Sequence, residues 1–244
     1  MKLKGKRIGY VLTGSFCTFS KTIPVIKELV KNGAEVIPIM SYNSYNLDTK
    51  FGKAQDFIKE IEEITGKKII HTIQEAEPIG PKKITDIMVI APCSGNTISK
   101  LAYDIIDTPA TMAAKSHLRN NKPLVIAVST NNGLGANAES IGRLLYRRNY
   151  YFVPFKQDNP ITKPRSIVAD FNMIVNRIRR NENLEDILDD YAASTNLDDI
   201  KYFAEIFRYA KRSGGDVIGI IKQTSHIIHE KAEVQQQIDT IITG

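Results

Sequence analysis

Residues 88–102 read MVIAPCSGNTISKLA. Met88, Val89, Ile90 and Ala91 form an unbroken apolar run, the pattern of a strand buried on both faces. Ser94, Gly95, Asn96 and Thr97 then supply a hydroxyl, a glycine, an amide and a second hydroxyl in succession, and a helical pattern follows. A plain strand-to-helix connection needs one turn residue and one cap. This one holds several hydrogen-bonding groups with almost no bulk, as an oxygen-rich ligand requires.

The sequence on either side repeats the theme. Strand patterns are expected at residues 7–12, 35–40, 68–71, 87–91, 124–129 and 151–154. Helical patterns are expected at residues 21–32, 49–65, 97–103, 109–119, 138–148 and 166–180. In the first helix Ile23, Ile26, Leu29 and Val30 share a face, with Asn32 and Gly33 as its stop. In the second, Phe51, Ala54, Phe57, Ile58, Ile61 and Ile64 recur at helical spacing before Gly66. Strands separated by helices predict an α/β fold, a parallel sheet with helices on both faces.

In such a sheet, ligands bind outside the carboxyl ends of the strands. Three predicted strand ends carry small polar groups: residues 13–18 (TGSFCT), 93–97 (CSGNT) and 129–137 (STNNGLGAN). A further strand end, residues 41–44 (SYNS), is polar too. Glycine permits close backbone approach, and hydroxyls with free N–H groups at a helix start bind anions. One such loop is accounted for by helix capping alone; three at one sheet edge predict a shared site. These loops contain Gly14, Ser15, Ser41, Ser94, Gly95, Asn96, Thr97, Ser129 and Asn131. No GxGxxG and no GxxxxGK[ST] occurs, so neither a standard dinucleotide fingerprint nor a P-loop is present.

At 244 residues with 42% hydrophobic and 25% charged residues, the chain has the make-up of one large domain, or of one with a small appendage. Residues 1–180 carry 27 Lys+Arg against 15 Asp+Glu, whereas residues 181–244 carry 6 against 12. That reversal predicts two modules, 1–180 and 181–244. The basic residues are scattered over helix faces and not striped with aromatics, which argues against a nucleic-acid partner. No apolar run approaches the roughly 20 residues of a membrane span. The apolar stretch after the basic N-terminus, residues 8–12, is too short for a signal-peptide core. Two cysteines, Cys17 and Cys93, make no disulfide framework, and a reducing cytoplasm is the expected compartment.

Thr13-Gly14-Ser15 and Ala91-Pro92-Cys93-Ser94-Gly95-Asn96-Thr97 resemble the flavoprotein family of FMN-dependent decarboxylases and their relatives. Within that family the chain is more similar to the branch of dipicolinate synthase B-subunits than to the decarboxylases. The similarity is carried by residues 3–19 (LKGKRIGYVLTGSFCTF), 49–66, 76–135 and 152–160 (FVPFKQDNP), and so covers nearly all of residues 1–175. The resemblance implies a Rossmann-like, flavodoxin-type sheet, a homo-oligomer, and an FMN-type pocket in which Gly14, Ser15, Ser41, Ser94, Gly95, Asn96 and Thr97 would touch the flavin or its phosphate. It implies a cytoplasmic role in a sporulating mother cell, in which a dihydro- or hydroxytetrahydro-dipicolinate, a small dicarboxylate, is oxidised to dipicolinate. The implied partner is the dipicolinate synthase A-subunit, which would carry NAD(P).

The chain departs from the decarboxylase branch. That branch uses a catalytic histidine and a Pro-x-Met-Asn-x-x-Met clamp; here residues 129–135 read STNNGLG, with no methionine. His71 lies at an expected strand end, and His117 is read as a surface residue beside Arg119. No catalytic residue is assigned. A dicarboxylate calls for cations, and Lys50, Lys53, Lys100 and Lys115 are candidates, with none preferred. Cys93 is read as a small buried filler. Three readings therefore stand: a synthase component with an oxidising flavin site, a catalytically silent platform, and an FMN-dependent decarboxylase.

Residues 181–244 are expected to be all-helical. Leu184, Ile187, Leu188 and Tyr191 make one stripe, and Ile200, Phe203, Ala204 and Phe207 another. Residues 203–241 resemble the cytoplasmic helical domain of type II secretion F proteins, which implies a helical protein-interaction tail. His226 and His229 are three residues apart, but a metal site needs more ligands, so no metal is expected.

Overall fold

The computed structural model describes residues 3–180 and, beyond them, Glu205. Met1–Arg179 form one compact unit. The expected helical appendage, its secretion-F resemblance, and His226 and His229 lie outside the described residues.

The chain opens with β1 (Arg7–Leu12), α1 (Phe19–Lys31) and β2 (Glu35–Met40). Three helices follow: α2 (Tyr42–Asn46), α3 (Ala54–Thr65) and α4 (Ile73–Ala76). Then come β3 (Ile87–Cys93), α5 (Gly95–Ala102), α6 (Pro109–Leu118), β4 (Leu124–Thr130) and α7 (Ala136–Leu145). The described part closes with β5 (Tyr150–Phe152), β6 (Phe155–Asn159), β7 (Lys163–Ala169) and α8 (Met173–Arg180).

The sheet runs β2-β1-β3-β4-β7-β6, with β5 also on β4. β1 to β5 pair in parallel, as the alternation of strands and helices predicted. The strand order reverses beside β1: β2 lies on one side of it and β3 on the other. Such a reversal opens a crevice at the carboxyl rim. β4 shares one edge between two partners. Leu124–Ile126 take β5, while Ser129 and Thr130 take β7 antiparallel. β6 and β7 are themselves an antiparallel pair, so the sheet is mixed.

Alternation along the strands divides the core in two. Ile8, Tyr10 and Leu12 of β1 face one layer with Val89 and Ala91 of β3, against Phe19, Ile26 and Leu29 of α1 and Ile61 of α3. Val11, Met88 and Ile90 face the other, against Ile98 and Leu101 of α5, Ala110, Ala113 and Ala114 of α6, and Ile141 of α7. Both layers exclude water, and burying each large aliphatic side chain contributes about 1.5–3 kcal/mol. The phenol of Tyr10 in the first layer is satisfied internally. Tyr10 Oη lies 2.7 Å from Thr22 Oγ1, which in turn donates to the Ala91 carbonyl at 2.9 Å. Burial pushes the Tyr10 phenol well above its ordinary range, so it stays protonated. At the start of β3, Asp86 accepts from Arg7 Nε and Nη2 at 3.1 and 2.7 Å and from Lys122 Nζ at 3.1 Å. The Arg7 hydrogen bond, above all, holds its carboxyl well below the usual range.

Three expected elements differ. Residues 68–71 form no strand, only a bridge at Ile39 and Ile70. The helix expected from residue 49 begins at Ala54, because the Asp48 carboxylate accepts the Ala54 N–H at 2.9 Å and residues 49–52 form a turn first. The helix expected over residues 166–180 is instead the end of β7, a turn at Asp170, and α8. Val168 and Ile167 are drawn into the sheet by pairing with Ser129 and Thr130.

Candidate functional site

Ser94 opens α5 as its N-cap, with the side-chain oxygen 3.4 Å from the Thr97 N–H and 3.1 Å from Thr97 Oγ1. Gly95 and Asn96 occupy the first turn, where backbone N–H groups have no intrahelical acceptor. The helix dipole adds partial positive charge there. Asn96 is exposed, and its side chain has no partner among the described residues. The opening motif thus presents unpaired donors just beyond the rim of the sheet.

The neighbouring loops are tied to it. Thr13, fully buried after β1, donates to the Pro92 carbonyl at 2.8 Å and accepts from the Ser94 N–H at 2.9 Å. Ser15 Oγ donates to the Ser129 carbonyl at 2.5 Å. Ser41 N–H donates to the Leu12 carbonyl at 3.0 Å, and its hydroxyl caps α2 through Ser44 N–H at 3.3 Å. On the other flank Thr130 Oγ1 donates to Asn137 Oδ1 at 2.8 Å. Asn137 Nδ2 then donates to the Gly95 carbonyl at 3.2 Å and to Ser99 Oγ at 3.0 Å. A side chain at position 95 would start 2.6 Å from Asn137 Oδ1 and 2.7 Å from Thr130 Oγ1, so the close approach of α5 and α7 requires glycine.

These loops enclose a cleft of about 670 Å³, within the range of cofactor sites. Gly14, Ser15, Ser41, Ser94, Gly95, Asn96, Thr97, Ser129 and Asn131 all line it. Tyr42, Asn43, Ser99, Lys100, Asp107, Thr108, Thr130, Asn132 and Asn137 complete the lining. Asp107 and Thr108 come from the α5–α6 connection, which follows a helix, so a search limited to strand ends passes over them. Asn137 had a visible signal: it sits in the first turn of a helix behind Gly133 and Gly135.

The lining is mostly neutral donor groups. Its charged pair is internal, with Lys100 Nζ 2.7 and 2.8 Å from the two Asp107 oxygens. Of the other candidate cations, Lys50 lies over the Phe51 ring at 5.3 Å and Lys53 precedes α3; neither lines the cleft, nor does Lys115. Among the described residues no histidine lines it. His71 stacks on Tyr45 with ring centroids 4.0 Å apart. His117 is not the surface residue that Arg119 suggested. It is 1% exposed, with Nδ1 2.7 Å from Thr85 Oγ1 and Nε2 2.9 Å from the Pro123 carbonyl. Cys93 is buried, in keeping with a filler, and burial pushes its thiol well up, which leaves it inert.

The sequence pattern of the flavoprotein family matches residues 1–163. The chain belongs to the flavoprotein family. Within it, the chain is 47% identical over 178 residues to the dipicolinate synthase B-subunit of Bacillus subtilis, covering 73% of this chain and 89% of that one. The crystal structure of the dipicolinate synthase B-subunit from Bacillus halodurans superposes with TM-score 0.68 at 43% identity, over 75% of this chain and 95% of that one. The FMN-dependent cysteine decarboxylase SpaF shares the flavoprotein fold at TM-score 0.55 and 19% identity, over 73% of this chain and 98% of its own. No described helix of this flavoprotein-family chain is long and apolar enough to cross a membrane.

Proposed function

We propose that the chain is the flavin-site component of a dipicolinate synthase, acting with an A-subunit that carries NAD(P). The single observation behind this reading is the convergence of the β1, β2, β3 and β4 strand ends on one neutral, donor-rich cleft. FMN fits its donor set. Hydroxyls of Ser41, Ser94 and Ser129, amides of Asn96 and Asn131, and the free N–H groups at the start of α5 would hold an anionic and carbonyl-rich ligand, with Ser15 lining the cleft as the tie between two of its loops. Gly14 leaves room beside them: a Cβ there would meet nothing closer than 3.8 Å. Kinship to the dipicolinate synthase B-subunits and the FMN dependence of SpaF support the cofactor and the substrate class.

A bound flavin would supply two-electron oxidation, the chemistry that aromatises a dihydro-dipicolinate ring; a hydroxytetrahydro ring must lose water as well. The chain's own residues bind and orient. The α5 N-terminus and Asn96 offer donors to a carboxylate or phosphate, while Lys100 is held in place by Asp107. The Thr13 and Ser15 bonds keep the β1, β3 and β4 loops at fixed spacing. Against a decarboxylase stands the position of both described histidines, neither of which lines the cleft: His117 is buried against Thr85 and the Pro123 carbonyl, and His71 is stacked on Tyr45. The substrate would be a small dicarboxylate, the assembly a homo-oligomer, and the compartment the cytoplasm of a sporulating mother cell.

The test is a titration of purified chain with FMN, followed by the visible band and by flavin fluorescence. A second stage mixes chain, A-subunit, substrate and NAD(P) and measures dipicolinate with and without the chain. Flavin binding and a rate that depends on the chain are expected. A chain that binds no flavin yet is needed for the rate is a silent platform; one that does neither ends the reading.

A further inference from the structure

A second cavity, of about 230 Å³, lies along α6 and shares Lys100 with the cleft. Its floor is apolar: Leu101 at the end of α5, Ile106 in the connection, and Leu118 at the end of α6. Tyr150 closes one side. Burial, chiefly, holds the Tyr150 phenol above its ordinary range, so it remains a hydrogen donor at neutral pH.

The charges around this floor do not balance. Asp104, the one acid of the lining, is 3.2 Å from Arg147, which also donates to the Leu101 and Ala102 carbonyls at 3.3 and 2.8 Å. Lys100 is engaged by Asp107. Lys115 and Arg148 remain on the rim, and neither has a carboxylate within ion-pair distance among the described residues. Two uncompensated cations over an apolar floor attract an anion with an apolar body. The volume is below the roughly 300 Å³ at which drug-sized pockets begin, so the body is a single small ring.

We propose that this cavity is a second small-molecule site that takes a planar ring acid, the ring on Leu101, Ile106 and Leu118 and the carboxylates on Lys115 and Arg148. It is separate from the cleft and does not depend on a flavin being there. Lys100, which lines both cavities, places the two sites side by side.

The probe is benzene-1,3-dicarboxylate, a planar ring with two carboxylates and no chelating nitrogen, titrated into the full chain by calorimetry. Benzamide, of similar size and uncharged, is the control. The dicarboxylate is expected to bind at one site, more weakly as salt rises, and benzamide not to bind. Lys115→Gln and Arg148→Gln, both exposed and so without cost to the fold, should each weaken binding about fivefold. Their flavin titration should match that of the parent chain. Several results overturn the site: no heat of binding, equal binding of benzamide, unchanged affinity in the double variant, or displacement of flavin by the probe. A change in the mass of the double variant by light scattering also overturns it, since the two cations would then belong to a contact between copies.

Discussion

Ser15 Oγ donates to the carbonyl of Ser129 across 114 residues of sequence, at 2.5 Å. Their strands, β1 and β4, are not neighbours, because β3 lies between them. The bond therefore spans the end of β3, where the Ser94 cap begins α5. Thr13 fastens the nearer interval through the Pro92 carbonyl and the Ser94 N–H. Three chain segments far apart in sequence are held at one rim by two hydroxyls.

Removing those hydroxyls has unequal costs. Thr13→Val leaves a buried carbonyl and a half-buried N–H unpaired and should destabilise by about 1–3 kcal/mol. Ser15→Ala lies nearer solvent and should cost about 1 kcal/mol. Both should weaken flavin binding. Urea unfolding midpoints and FMN titrations check this, and an unchanged midpoint for Thr13→Val would show that water replaces the lost partner.

Asn96 is exposed, and its side chain makes no hydrogen bond within the described residues. Asn96→Leu should leave stability within about 0.5 kcal/mol of the parent, as surface substitutions do, and should abolish the visible band of bound flavin. Survival of that band at parent affinity would place the ligand elsewhere.

Gly95→Ala inserts a methyl group 2.6 Å from Asn137 Oδ1 and 2.7 Å from Thr130 Oγ1. Both atoms belong to short, mutually bonded side chains, so α5 and α7 must part. A loss of about 1–3 kcal/mol is expected, with weaker flavin binding as the α5 N-terminus shifts. Pairing the substitution with Asn137→Ala should recover part of the loss, and a thermal melt of the double variant measures how much.

Burial lowers the His117 imidazole from 6.5 to about 4. Above pH 6.5 neither the folded nor the unfolded state carries the proton, and the neutral ring contributes fully. As pH falls from 6.5 towards about 4, the unfolded chain takes up a proton that the folded chain refuses. Stability then declines by about 3 kcal/mol in all and levels off below. Denaturant titrations at steps of pH across this window should show the decline. His117→Asn should flatten it while lowering stability throughout, because the Thr85 and Pro123 partners lose their ring nitrogens.

Burial of His117 was legible after all. Ala110, Ala113, Ala114 and His117 follow the spacing of one helix face, and all four are buried. The neighbouring Arg119 lies beyond that stripe and says nothing about it. The β6–β7 pair was less legible. Its strand FKQDN alternates no apolar face and lies largely exposed, so no periodicity marks it. Ile167, Val168, Ile174 and Val175 also fit helical spacing, which hid β7.

Residue order was enough to set the layers and the rim. Apolar runs ending in glycine, hydroxyls and amides mark buried strands and their carboxyl ends, because a strand buried on both faces can carry polar groups only where it stops. Packing in three dimensions was needed for the rest: which of those ends meet, how closely α5 approaches α7 at Gly95, and that Lys115 and Arg148 flank an apolar hollow. Those relations join residues tens of positions apart, and strand order and helix packing, which no local pattern encodes, set the distances between them.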